Sequence, residues 1–165
     1  TRLTERGIAV DVLPTGEVTD PGGYEAAVIG SAIHDSRWLP QAADFARSAG
    51  PALDGRPIWL FSVSSLGDEE SMFPDGISRR LRAARKEPPD LVGFRGILHP
   101  LDHRNFAGRV EPSDWPLRGR VVFRALGGRY GDYRNWAAID AWADGIASRL
   151  NEPDMERQPR PSRRR

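Results

Sequence analysis

The chain has 165 residues, a formal net charge of +1 and no cysteine. That length is typical of one domain able to bury a core, and the near-neutral charge points to neither a nucleic-acid binder nor an acidic solvating protein. Without cysteine there is no disulfide framework, no thiolate metal site and no Cys nucleophile.

No run approaches the roughly 18 consecutive apolar residues of a membrane span, and the start does not read as a signal peptide, so a soluble cytoplasmic protein is the default expectation. Lys86 is the single lysine beside 23 arginines, a bias we read as that of a GC-rich genome.

Residues 1–6 read as the end of a helix stopped by Gly7, and 8–13 alternate as a strand. Residues 14–23 are a turn-rich connector. Ala26 to Ile29 form a short apolar strand that Gly30-Ser31 ends. A loop of about six residues follows, typical of such connections. Ser36 and Pro40 then start a helix with Leu39, Ala43, Ala46 and Ala49 as its apolar positions and Gly50 past its end.

Residues 51–56 are a loop, and 58–63 (Ile-Trp-Leu-Phe-Ser-Val) a second continuous apolar strand. A polar loop with Gly67 leads to a helix over 77–86, where Ile77, Leu81 and Ala84 share a face and Pro88-Pro89 stop it. Asp90 is placed to cap a further short helix with Leu91, Phe94, Ile97 and Leu98 on one face; a strand is the competing reading. Residues 103–110 are the last strand. Asp114 caps a helix from Trp115 to Leu126, and Gly127, Gly128 and Gly131 make a flexible loop. Asn135 starts a final helix with Trp136, Ile139, Trp142, Ala143, Ile146 and Leu150 inward. The expected organisation is a domain over 1–150 and a disordered Pro/Arg-rich tail over 151–165, whose Arg163–Arg165 run is a solvated tail before it is an RNA contact.

Strands alternating with helices argue a parallel sheet covered on both faces. Ligands of such sheets sit beyond the carboxyl ends of the strands. Two stretches occupy that position: Ser31, Ala32, Ile33, His34, Asp35 and Trp38 after one strand, and Ser62, Val63, Ser64, Ser65, Leu66 and Gly67 after the next. They offer hydroxyls, backbone N–H groups and an indole to a flat polar ligand. Ordinary turns with a Trp packed on the surface remain the alternative. No Gly-x-Ser-x-Gly elbow surrounds any serine. His34, His99 and His103 lack metal-ligand spacing, and no phosphate-binding or dinucleotide fingerprint occurs. The 127–132 cluster is a mobile loop before it is a lid.

Tyr24 to His34 (Tyr-Glu-Ala-Ala-Val-Ile-Gly-Ser-Ala-Ile-His), Leu60 to Val63, His103 to Val110 and Gly131 to Ala147 together resemble a flavodoxin-domain protein, in particular the menaquinone-dependent protoporphyrinogen dehydrogenase branch. The resemblance implies a flavodoxin-like three-layer α/β sandwich with a parallel sheet of order 2-1-3-4-5. It implies FMN at the strand ends, with 31–38 and 62–68 flanking the flavin ring, and oxidation of a protoporphyrinogen-type substrate with a redox partner or quinone. It also implies a first strand and a phosphate loop that have no counterpart in these residues. Segment 8–13 is therefore expected to slide against 25–30 or sit displaced, and FMN affinity to fall. The rival expectation is a cofactor-less α/β module with a partner-binding role. No catalytic acid or base and no oligomeric state is singled out.

Overall fold

The computed structural model describes residues 1–114 and 116–152. In chain order the elements are α1 (Arg2–Glu5), β1 (Ala27–His34), β2 (Arg37–Trp38), α2 (Pro40–Ala49), β3 (Ile58–Ser64), α3 (Asp75–Ala84), α4 (Pro89–Leu98), β4 (Asp102–Ala107), β5 (Arg109–Val110), α5 (Leu117–Ala125), β6 (Gly131–Asp132) and α6 (Trp136–Asn151). They fall into two compact units, one of Thr1–Val12 with the described residues from Trp136 on, the other of Leu13–Asn135.

The larger unit carries a sheet of order β2-β1-β3-β4. β1, β3 and β4 are parallel neighbours, and β2 folds back antiparallel on the end of β1. The sheet is thus mixed and mostly parallel, in an α/β fold consistent with the flavodoxin-like expectation. Gly30-Ser31 do not end the strand: β1 continues to His34 because β3 pairs with it throughout, Gly30 opposite Phe61 and Ala32 opposite Val63. A Cβ at Gly30 would stand 2.2 Å from the Phe61 ring, so only glycine lets that ring lie across the strand.

Residues 8–13 form no strand, and Val12 is 77% exposed. Alternation alone does not make a strand without a ladder partner, and none of the ladders among the described residues includes 8–13. On the side away from β3, β1 pairs with β2 through Ile33 and His34. Its Ala27–Ala32 stretch has one ladder neighbour, β3, among the described residues.

One sheet face packs on two helices. Ile29, Ile58 and Leu60 meet Ala42, Ala43, Ala46 and Ala49 of α2 and Leu91, Phe94 and Leu98 of α4. Leu39, expected inward, is 45% exposed because α2 begins after it, with Pro40 at its first position. Segment 89–98 is helical rather than extended, since Leu91, Phe94 and Leu98 recur on one helical face and all three are buried. Asp90 does not cap this helix, which enters through Pro88. Its buried carboxylate instead accepts from the Trp38 N–H at 3.2 Å and from Arg47 Nη2 at 2.9 Å, joining α4 to β2 and α2.

A second cluster gathers Met72, Val110 and Phe123, with Phe73, Tyr130 and Tyr133 around them. It holds the glycine-rich loop, expected to be mobile: Arg129 N–H donates to Met72 O, and Gly128 lies so close to the Phe123 ring that a Cβ there would come within 2.6 Å. The strand expected over 103–110 breaks at Gly108 into β4 and β5. α5 starts at Leu117, not at Trp115, and Asp114 belongs to a 3-10 turn instead of capping it; a chain entering a helix through Pro116 starts it after the proline. Trp115 itself lies outside the described residues, as does the expected tail from residue 153 on.

In the smaller unit, α1 is a single turn, too short to be stable alone. Arg2 and Arg6 each fork onto the Asp144 carboxylate of α6 at 2.8–2.9 Å, and these hydrogen bonds hold that carboxyl well below the usual carboxylate range. Gly7, at φ +82°, stops the turn as expected. Trp136, expected inward on α6, is 57% exposed, whereas Ile146 and Ala147 are buried.

Replacing Asp90 by Ala leaves the buried Trp38 N–H without its acceptor. The expected loss is about 1–3 kcal/mol in urea unfolding, with Asp90→Asn losing less because its amide oxygen still accepts. An Asp90→Ala midpoint equal to the parent's would show that this carboxylate does not hold the three elements.

Candidate functional site

Because β1 and β3 run parallel in register, their carboxyl ends come to the same edge of the sheet. The expected loop after β1 is a tight turn. Asp35 and Ser36 adopt left-handed backbone at φ 49° and 62° between the paired His34 and Arg37, the pattern of a two-residue hairpin whose twist matches its strands. Asp tolerates that conformation better than most residues.

The segment after β3 is laced to β4. Asn105 Nδ2 donates to Leu66 O at 2.6 Å, Asn105 N–H to Asp68 Oδ2 at 2.9 Å, and Asp68 N–H to Asn105 O at 2.7 Å. Ser64 Oγ accepts from Leu66 N–H at 3.2 Å. From α3, Arg82 donates to Gly67 O and Arg85 to Leu66 O and Asp68. Gly67 is required by contact: a Cβ there would stand 2.4 Å from Ala107 N.

The candidate residues separate into two sets. Ser31, Trp38, Ser62 and Gly67 are buried, and Ile33 packs on the core. Ser31 Oγ is committed locally, accepting from Leu39 N–H at 3.0 Å and donating to Ala32 O at 2.9 Å. Trp38 is 2% exposed. Its ring tilts against Phe94 at 5.0 Å, and its Nε1–H donates to Ser62 Oγ at 2.9 Å. Its indole therefore serves the core and is not displayed at the surface. Ala32, His34 and Asp35 are exposed, and Val63, Ser64, Ser65 and Leu66 are half-buried. These, with the turn backbone, form the accessible rim.

Ser62 Oγ also lies 2.9 Å from His103 Nε2. With Nε2 bare, the hydrogen bonds run in one direction from indole to hydroxyl to imidazole. Burial pushes the His103 pKa down, against weaker upward pulls from nearby acids such as Asp68 and Glu87. A buried serine beside a histidine is the start of a nucleophile pair, but Ser62 is 1% exposed and already accepts from Trp38, so no substrate reaches it. Asn105 is not singled out in the sequence reading, which has Asp68 only as the end of the 62–68 stretch, His103 only as an unmatched metal ligand and Asp90 only as a helix cap. The available signal was polar residues at alternate positions of a strand, His103 and Asn105, facing the serines of its neighbour.

An FMN phosphate needs a cluster of free amides, most often at a helix N-terminus. In the larger unit α2 and α4 have proline at their first turn, and α3 and α5 have proline as the N-cap. Each has thereby lost at least one of its four free donors, and α4, with Pro88 and Pro89, two. α3 and α4 also carry an acid in the first turn, Asp75 and Asp90, which repels an anion. These helix starts are therefore poor sites for a phosphate.

The chain matches the family described as Flavodoxin domain over residues 1–122. It belongs to that family, one of flavodoxin-like redox modules that typically bind FMN. No curated protein and no solved structure matches it significantly. Among the described residues no helix is long and apolar enough to cross a membrane.

The His103 shift has a sign that can be tested. The folded imidazole titrates below its ordinary 6.5, so as pH falls the unfolded chain takes up the proton first. Stability from this site is complete above about pH 6.5 and declines below it. His103→Gln keeps an acceptor for Ser62 without titrating, so it should lose less stability than the parent between neutral and mildly acidic pH in urea unfolding. Parallel losses in both would exclude His103 as the titrating group. Separately, Gly67→Ala should shift the 64–68 backbone and lower the melting temperature, because the atom it meets is backbone; an unchanged thermal midpoint would show that the loop yields freely.

Proposed function

We propose that this chain is a flavin-dependent redox module whose strand-tip rim, Ala32 and His34–Asp35 on one side and Val63–Leu66 on the other, takes the isoalloxazine ring. Membership of the Flavodoxin domain family, together with two adjacent parallel strands ending at one edge, carries this reading. Bound there, the flavin supplies one- and two-electron redox chemistry, and the protein binds and orients it. The short motifs at 24–34, 103–110 and 131–147 favour a protoporphyrinogen-type substrate and a quinone or other redox partner in the cytoplasm. The domain would then extend over 1–150, with 151–165 as a tail.

Phosphate recognition is the weak half of this site. Losing roughly three charge-assisted bonds of about 1.5–3 kcal/mol each lowers affinity by more than about a thousandfold. A second reading, a cofactor-less partner-binding module, is favoured by the same proline-headed helices and by hydroxyls already committed within the protein.

Titration with FMN and with riboflavin, followed by flavin fluorescence quenching, separates these possibilities. The expected result is binding of both with dissociation constants within about tenfold, a difference of about 1.4 kcal/mol. FMN binding far more tightly would reveal a phosphate cradle on this chain. Failure of both to bind would retire the flavin reading in favour of the cofactor-less module.

A further inference from the structure

α5 presents the wrong face to water for a helix of a soluble domain. Leu117, Val121, Val122 and Leu126 are 75%, 63%, 59% and 45% exposed, and Phe123 alone is buried, against the Met72 cluster. At about 100° per residue, Leu117, Val121 and Ala125 fall opposite Phe123 and point outward. Arginines flank that stripe, Arg118 on one side, Arg120 and Arg124 on the other, and the helix carries no acid.

The basic, aliphatic character continues past the helix. A Cβ at Gly127 would meet Pro74 at 3.3 Å and Ile77 at 3.7 Å, so the end of α5 abuts the start of α3. There Arg79 and Arg80 line an open cleft of about 590 Å³ floored by Pro74, Ile77 and Ala83. Among the described residues neither arginine makes an ion pair, and Asp75 is the one acid of α3.

We infer that the outward face of α5, with the adjoining arginines of α3, docks on an anionic lipid surface. The charge decides among occupants. A second copy would set arginines against arginines. The segment beyond residue 152 brings five arginines against Asp154 and Glu156, so it too is repelled. An acidic protein would satisfy the charge. However, protein hot spots centre on large side chains seated in closely fitting pockets, and the apolar part of this face is short aliphatic side chains on a convex helix with no aromatic among them. Such side chains enter a headgroup layer one by one while the exposed guanidinium groups of Arg118, Arg79 and Arg80 meet lipid phosphates.

Co-sedimentation of the full chain with vesicles tests this, using phosphatidylcholine alone and phosphatidylcholine mixed with phosphatidylglycerol, at low and high salt. The expected result is at least about tenfold stronger binding to the mixed vesicles at low salt, weakened by high salt. The double variant Arg79→Glu/Arg118→Glu should lose that preference. Leu117→Ser/Val121→Ser should weaken binding about tenfold. All four positions are on exposed surface, so circular dichroism should be unchanged. Equal binding to both vesicle types, no binding to either, or variants that bind like the parent would overturn the inference. So would capture by a Glu-rich amphipathic helical peptide with no vesicle binding, which would mark a protein-docking face.

Discussion

The structure turns on the indole of Trp38. It closes the core above α4, donates its N–H to Ser62 of the central strand, and through that hydroxyl reaches His103 of the next. Its own backbone N–H goes to Asp90. A single residue two positions past a hairpin turn thus ties the end of β1 to β3, β4, α2 and α4. Buried polar groups tolerate such a position only when every donor has its acceptor, and here each of those named does. The hairpin is consequently drawn down onto the core, and the rim at the strand tips is built from the residues left over.

This constraint sets what the rim can do. The hydroxyls that look available in the sequence, Ser31, Ser62 and Ser64, hold the protein together. What remains for a ligand is a shallow edge of backbone, small side chains and the exposed His34–Asp35 corner. A planar aromatic system can rest on such an edge by area and dispersion. A phosphate needs several convergent donors, and α2, α3, α4 and α5 each enter through a proline that supplies none at its position.

Much of the fold was legible in the sequence because continuous apolar runs and alanine spacing report burial directly. The segments 58–63 and 40–49 appear nearly as read. Where sequence and structure differ the cause is shared: a local signal takes its meaning from the partner it meets. Gly30-Ser31 looks like a stop until β3 is alongside, and 8–13 alternates like a strand yet joins no ladder among the described residues. Asp90 and Asp114 both look like caps, yet one is drawn into the core by Trp38 and the other is separated from its helix by Pro116. The candidate site was legible as a place, the ends of two strands, but not as a set of atoms. Whether a serine faces a ligand or a neighbouring strand depends on register, and register is a property of the pair.

The β1 stretch from Ala27 to Ala32 lacks a second ladder neighbour among the described residues, and its sequence, Ala-Val-Ile-Gly-Ser-Ala, holds neither a charge nor a proline. Exposed sheet margins are ordinarily guarded by lysines, prolines or bulges that discourage templating. This stretch carries neither lysine nor proline, and an added extended strand would find half of its ladder open there.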